Sequence, residues 1–267
     1  EARIRRRLDP ALARLSADLD RDLAGSLGKT EPVLTIIASH DLALLQLRDL
    51  ALEKEIPFDL QVRGSSESLA AYSRGECDLA GFHLAVGRPD LDLRLWLAPR
   101  RDAILRFATR RQGLMVKRGN PKRIGSISDL ARANIRFINR QEGSGTRALL
   151  DRLLADAGVR PRQVRGYAVE EYTHLAVAAT VASGMADAGF GIEAAAVRHG
   201  LGFVPVATES YLLACRLTRL KTKPVVALRK LMAGAAFRKA TADLAGYDLL
   251  GAGKPVSFST LTGMPSR

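Results

Sequence analysis

From residue 33 onward the chain alternates short β-branched runs with helical patterns, with short connections between them, and it does so in two sets. Strands joined through helices lie parallel, and a parallel sheet needs both faces covered, so this alternation predicts an α/β fold. In the first set, Val33 to Ala38 reads as a strand, Ser39-His40-Asp41 as a turn, and Leu42 to Leu52 as a helix. Pro57 to Val62 is a second strand, followed by Gly64-Ser65-Ser66, a helix from Glu67 to Ser73, and a third strand from Asp78 to Phe82. In the second set, Gly113 to Val116 reads as a crossing strand and Ser128-Asp129-Leu130 as the cap of a short helix. Ile135 to Ile138 is a strand that leads into a helix ending near Ala157. Tyr172 to Ser183 and Glu193 to Arg198 are further helices, with a strand at Asp187 to Phe190 between them. Phe203 to Val206 and Ser210 to Leu217 return as strands, and Val225 to Leu244 is a long terminal helix. The expected division is lobe one from residues 32–111 and 207–267, and lobe two from residues 112–206.

A chain of 267 residues, 47% of them hydrophobic, can bury one large or two modest cores. Aromatics are only 5%, which suits an aliphatic α/β core. Before the fold, Ile4, Leu8, Leu12, Leu15 and Leu19 recur at helical spacing with charged residues between them. Residues 1–28 are therefore read as a linker or dimerisation helix, with a homodimer as one option. No apolar stretch is long enough to span a membrane: Ser183, Gly184 and Asp187 interrupt the longest, from Leu175 to Phe190. The chain begins at Glu1, and both a cleaved leader and an N-terminal domain are compatible with that start. The charged helix favours a cytoplasmic location, with the periplasm as the alternative.

The formal net charge is +13, and its distribution is uneven. Arg88 to Arg123 holds 11 basic and 3 acidic residues, and Arg216 to Lys239 holds 8 basic and none acidic. Without interleaved aromatics or a groove-entering motif, these clusters are not read as a nucleic-acid surface. Cys77 and Cys215 build no disulfide framework, and Cys215 reads as inert core. His40, His83, His174 and His199 have no metal-ligand spacing, so satisfied polar histidines are expected, with His174 able to line a cleft. No cofactor or metal is called for.

Hydroxyl-bearing turns carry the chemistry: Ser39, then Ser65 with Ser66, then Ser144 with Thr146. Each precedes a helix whose free N–H groups and positive dipole end favour an anion. A single such turn is most simply an N-cap; three in one α/β chain suggest convergence on a ligand between lobes. In Arg140 to Arg147, Gly143 and Gly145 allow close backbone approach, Ser144 and Thr146 donate, and Arg adds a charged fork. The run is neither a Walker A loop nor a nucleophile elbow.

The ordered series of motifs resembles a family. It runs through Thr35-Ile36-Ile37-Ala38 with Ser39-His40-Asp41, Gly64-Ser65-Ser66, Arg118-Gly119-Asn120-Pro121 and Asn139 to Arg147. Glu171-Tyr172-Thr173-His174, Gly184 to Gly189 and Gly246-Tyr247-Asp248 complete it. From Pro32 to Pro255 the chain is similar to the type II periplasmic-binding-protein superfamily. Within that superfamily it looks like the molybdate/tungstate-binding-like domain often attached to a winged helix-turn-helix in bacterial regulators. The resemblance implies two lobes with an oxyanion in the cleft. By position, Ser39 and Ser65 or Ser66 would contact the anion from lobe one. Arg140, Ser144, Gly145, Thr146 and, as a further candidate, Arg147 would do so from lobe two, with Thr173 and His174 nearby. Asn139 and Gln141 depart from the Ser-Arg-Gly-Asp-like turn of tungstate-binding proteins that Arg140 otherwise matches.

The expected function is effector sensing rather than catalysis, because no nucleophile stands at recognisable spacing from a base. The expected ligand is a small oxyanion, molybdate or tungstate by resemblance, and DNA would be reached only through a domain preceding Glu1. The alternative is an exported binding subunit of an oxyanion ABC transporter.

Overall fold

The computed structural model describes residues 33–56, 58–86 and 91–262; the helix expected within residues 1–28 lies outside them. The first half runs β1 (Leu34–Ala38), α1 (Leu42–Glu53), β2 (Phe58–Val62), α2 (Ser65–Ser73), β3 (Leu79–Ala85) and then a long strand, β4 (Asp102–Val116). The second half repeats that order as β5 (Phe137–Arg140), α3 (Gly145–Asp156), β6 (Glu170–Glu171), α4 (His174–Ala182) and β7 (Ala188–Ile192). Helix α5 (Glu193–Arg198) then leads into a second long strand, β8 (Gly202–Arg216). Helices α6 (Lys223–Ala233) and α7 (Ala235–Ala240), strands β9 (Tyr247–Asp248) and β10 (Pro255–Val256), and α8 (Phe258–Thr262) follow.

The strands are ordered β2-β1-β3-β8-β4-β7-β5-β6, with β9 and β10 on β4. β1 is parallel to β2 and β3, and β5 is parallel to β6 and β7. Between these trios, β8 and β4 pair antiparallel from Asp102↔Arg216 to Val116↔Gly202. Each half is thus a parallel trio completed by the same two crossing strands. The hydrogen-bonded path is continuous, so the halves share strands rather than forming separate sheets. The boundary expected at 111/112 and 206/207 falls inside this shared ladder, where Arg111 pairs with Thr208 and Gln112 with Ala207. A register shift lies beside it, between Gln112 and Gly113. A Cβ on Gly113 would collide with the Val204 carbonyl, so a glycine is needed for the strands to close there.

Side-chain alternation sorts the core onto two faces of the sheet in each half. Along β8, Tyr211, Leu213 and Cys215 pack with Ile36, Leu44, Leu47, Leu228 and Phe237, while Leu212 and Ala214 face Leu69, Tyr72 and Phe82. Along β4, Leu114 and Val116 meet Phe137, Leu150 and Phe190, while Met115 joins Ile138, Val177 and Ile192. Cys215 sits in the first of these clusters, and burial pushes its thiol up to about 12.

Several elements differ from the sequence reading for local reasons. β4 extends back to Asp102 through the Arg-rich stretch, where carboxylates pair with the guanidinium groups, Arg110 wholly inside the fold and Arg101 and Arg111 half exposed. Arg101 and Arg216 pair with Asp102, Arg110 with Asp41 and Glu209, and Arg111 with Glu193. β8 is one strand where two were expected. Helix α2 starts at Ser65, because the Glu67 carboxylate accepts the Gly64 N–H at 3.1 Å. The long terminal helix is interrupted at Gly234, whose extended ψ of 160° ends α6 and caps α7. The short helix at Ile127–Ala131 is entered from Ser126 rather than Ser128. Among the described residues, no helix is long and apolar enough to cross a membrane.

Candidate functional site

The carboxyl ends of β1, β2, β5 and β6 open onto one cleft between the halves, where open α/β sheets place ligands. A cavity of about 600 Å³ lies there. Its wall includes Ser39 and His40 after β1, Gly64-Ser65-Ser66 after β2, Arg140 to Thr146 after β5, and Tyr172-Thr173-His174 after β6. All but one of the expected residues therefore meet at one place: Ser39, Ser65, Ser66, Arg140, Ser144, Gly145, Thr146, Thr173 and His174.

Three helices present their N-termini to this cavity. Ser144 caps α3 by accepting the Arg147 N–H at 3.2 Å, and Thr173 caps α4 by accepting the Ala176 N–H at 3.0 Å. Each hydroxyl uses a lone pair for the cap and keeps its own hydrogen for a ligand. At α2 the N-cap is Gly64, so Ser65 and Ser66 stand in the first turn. The turn after β1 departs from expectation. Asp41 Oδ1 accepts the N–H groups of Ala43 and Leu44, at 2.8 and 3.3 Å, so a carboxylate already occupies that helix end. Ser39 brings its hydroxyl and no open helix terminus.

Arg140 ends β5 and is 6% exposed. Its Nε donates to Gln141 Oε1 at 2.9 Å and its Nη2 to the Tyr172 carbonyl at 3.0 Å, both neutral acceptors. A guanidinium has five donors, so several remain for a ligand. Burial, with Arg110 nearby, pulls its pKa down to about 10, the mark of a positive charge lacking a counter-ion. Arg147, the remaining expected residue, is placed differently. Its Nη1 meets Glu170 Oε1 at 2.8 Å, its Nε meets Asp151 Oδ1 at 3.1 Å, and its guanidinium stacks on Tyr167 at 4.1 Å. It lines an adjoining cavity of about 150 Å³ and not the main one.

The sequence reading missed a buried charged network beneath the cavity. Arg110 Nη1 lies 2.7 Å from Asp41 Oδ2, and its Nε lies 3.1 Å from Glu209 Oε2. The Tyr247 hydroxyl donates to Asp41 Oδ2 at 2.8 Å. Burial alone would raise both carboxylates; His83, Arg110 and Tyr247 reverse this for Asp41 and Arg110 does so for Glu209, leaving both below the usual carboxylate range. Gln112 Nε2 reaches Thr146 Oγ1 at 3.3 Å, which ties the crossing strand to the α3 turn. Arg110 also touches the cavity. Tyr211 is buried, with its ring 4.3 Å from that of His83 and its hydroxyl donating to the Ser39 carbonyl.

His40, His83 and His174 all line the cavity, which corrects the reading of His40 and His83 as satisfied polar residues. His40 Nδ1, His83 Nε2 and His174 Nδ1 are buried without a hydrogen-bond partner. His199 is satisfied as expected, with Nδ1 3.1 Å from the Ala195 carbonyl. Ser39 Oγ lies 2.8 Å from His83 Nδ1, but this is not a catalytic triad. Asp41 is 3.9 Å from His83 Nε2, beyond hydrogen-bond range, and its oxygens are held by Arg110, Tyr247 and the α1 cap.

Burial, reinforced by Arg110 or Arg140, lowers the pKa of all three cavity histidines. The unfolded chain therefore binds protons below about pH 6.5 that the folded chain refuses, and stability falls as pH drops through that value. The depressed carboxylates act only later: their contribution is present above about pH 4 and is lost below it. The urea midpoint is thus expected to decline from about pH 6.5 downward, as the unfolding free energy falls by up to roughly 1.4 kcal/mol per pH unit for each histidine. A midpoint flat from pH 7.5 to about 5 would contradict the buried neutral imidazoles.

The sequence matches the PBP superfamily domain over residues 48–233. The uncharacterized protein YvgK of Bacillus subtilis is 40% identical over 157 residues, covering 56% of this chain and 50% of YvgK. The chain thus spans about half the length of that relative. An uncharacterized protein in the ferredoxin 2Fe-2S gene 5' region of Clostridium pasteurianum is 33% identical over 110 residues, covering 41% of this chain and 97% of the relative. Solved structures are similar in fold at low identity. The effector binding domain of a BenM variant has a TM-score of 0.57 at 15% identity, covering 85% of this chain and all of that one. The tungstate ABC transporter structure from Geobacter sulfurreducens has a TM-score of 0.56 at 16%, covering 80% of this chain and all of that one. An ABC-type phosphate transport receptor from Vibrio cholerae has a TM-score of 0.55 at 13%, covering 80% and 98%.

Proposed function

The chain belongs to the PBP superfamily, and from that premise we propose that its cleft binds a small oxyanion, molybdate or tungstate first among them, and reports it to a DNA-binding domain on its N-terminal side. The fold is the two-lobed, type II periplasmic-binding-protein-like one, and the domain is a ligand binder rather than an enzyme. The finer reading rests above all on Arg140. A buried guanidinium held only by neutral acceptors faces a cavity onto which three helix N-termini open, and a bound oxyanion would supply the counter-charge. Ser39, Ser65, Ser66, Ser144, Thr146 and Thr173 would add hydroxyl donors around its oxygens, with backbone N–H of Gly145 and its neighbours behind them. The BenM domain is an effector-binding one and the Geobacter protein a tungstate transporter, and both are compatible with this reading.

The cavity volume favours a second reading. About 600 Å³ falls in the range of organic ligands, so an organic anion whose phosphate or carboxylate sits at Arg140 also fits. Titration calorimetry of the chain with molybdate, tungstate, sulfate, phosphate and a sugar phosphate separates the two. Heat with molybdate and tungstate supports the first reading, heat with the sugar phosphate alone supports the second, and no heat with any of them defeats both.

A further inference from the structure

We propose that His83 takes up a proton when the anion binds, so that the protein and not the ligand carries the proton of the complex. This rests on the oxyanion reading of the cleft and adds to it a residue that decides which form of the anion fits.

A directed hydrogen-bond chain links His83 to the cavity. His83 Nε2 lies 3.9 Å from Asp41 Oδ2, too far for a hydrogen bond, and we place the hydrogen of the neutral ring on this nitrogen because the field of the carboxylate favours it there. Nδ1 is then an acceptor, and the Ser39 hydroxyl, 2.8 Å away, donates to it. Ser65 supports the arrangement from the other side: its hydroxyl donates to Ser39 Oγ at 3.4 Å while its oxygen accepts the His83 backbone N–H at 3.2 Å. With that tautomer and no ligand, the hydrogen of Ser39 points into the protein, although Ser39 lines the cavity.

An anion needs that hydrogen. Once Ser39 turns its O–H to the cavity, its lone pairs face the bare Nδ1 of a ring that is 7% exposed, which leaves a buried acceptor unsatisfied. Adding a proton to Nδ1 restores the contact in the opposite direction, with Nδ1–H donating to Ser39 Oγ. The surroundings tolerate a charged ring. Asp41 faces it from the start of α1 and Glu209 from β8, against Arg110 from β4. Ser65 of α2 and Tyr211 of β8 bring no charge, and burial keeps His174 of α4 neutral. Two carboxylates outweigh one guanidinium, and the anion adds negative charge. In the free protein, burial and Arg110 keep the ring neutral.

The consequence is a selection rule. With His83 donating to it, Ser39 can only donate in turn, so the contact suits an oxygen without a hydrogen, as in tungstate or sulfate, over the hydroxyl of a hydrogen phosphate. A proton taken up on binding also makes affinity fall as pH rises, by up to about tenfold per unit.

Calorimetry with tungstate at about pH 7.5, in two buffers of different ionisation enthalpy, reads the proton number directly. Uptake approaching one proton is expected in the native chain and almost none in His83→Asn, which can still bond Ser39 but cannot titrate. Ring-nitrogen NMR of the unsubstituted chain gives an independent reading should that variant not fold: Nδ1 of His83 is expected to pass from bare to protonated as tungstate is added. Binding without uptake, uptake undiminished in His83→Asn, or an unchanged Nδ1 signal overturns the proposal and leaves the oxyanion reading standing. Absence of binding by tungstate, molybdate, sulfate and phosphate overturns both.

Discussion

Replacing Arg110 with methionine is expected to destabilise the fold by about 3–5 kcal/mol, the scale for removing one partner of a buried ion pair. Arg110 is 2% exposed and lies between Asp41 and Glu209, themselves almost wholly buried. Methionine fills much of the volume but leaves both carboxylates without a counter-charge in a low-dielectric interior. At roughly 2–4 °C per kcal/mol, thermal unfolding should fall by about 6–20 °C. The pH dependence identifies the cause. Stranded carboxylates are pushed up and take protons, so the deficit should be largest near pH 8 and shrink on acidification toward about pH 5. Adding Glu209→Gln to the variant should recover part of the loss, because one stranded charge is gone. A loss below about 1 kcal/mol, or one independent of pH, would mean that the network does not stabilise the fold.

Arg140→Ala should behave in the opposite way. The expected loss is of anion affinity, by about 1.5–3 kcal/mol or roughly 10- to 150-fold, the scale of a hydrogen bond to a charged group. Stability should hold or rise, because the charge removed is one the folded state disfavours: burial and Arg110 pull its pKa below the ordinary arginine value. Arg140→Lys should restore only part of the affinity, since an ammonium cannot replace a planar fork anchored on Gln141 and the Tyr172 carbonyl. Calorimetry and urea unfolding on the same samples decide the matter. Unchanged affinity with reduced stability would make Arg140 a structural residue and remove the main support for the proposed function.

The two substitutions show which parts of the site were legible in the residue order. Ser39, Ser65, Ser66, Ser144, Gly145 and Thr146 occupy strand-to-helix turns, and turn chemistry is local: a glycine, a hydroxyl and the onset of a helical pattern lie within a few residues of one another; Thr173 and His174 came from the family resemblance instead. Arg140 could be found because it stands beside such a turn. Arg147 was grouped with it by proximity, but the first turn of α3 carries its side chain away from the cavity to Asp151, Glu170 and Tyr167. His40 and His83 gave no signal, since their role depends on a cavity that no single segment forms.

The residue order by itself determined the alternating strands and helices, the two-lobed α/β class and the hydroxyl-bearing turns, because each rests on periodicities and turn preferences that act over one or two helical turns. Tertiary structure alone decided that β4 runs unbroken through an Arg-rich stretch, that Arg110 lies inside the fold, and that His40 and His83 join His174 at the cleft. Arg110 stands 69 residues from Asp41 and 99 from Glu209, and only the β4–β8 register places it across from Glu209. A charged side chain in a charged run reads as solvated until the chain closes around it. Desolvation and its compensation are properties of the assembled interior, where groups distant in sequence first share one low-dielectric space.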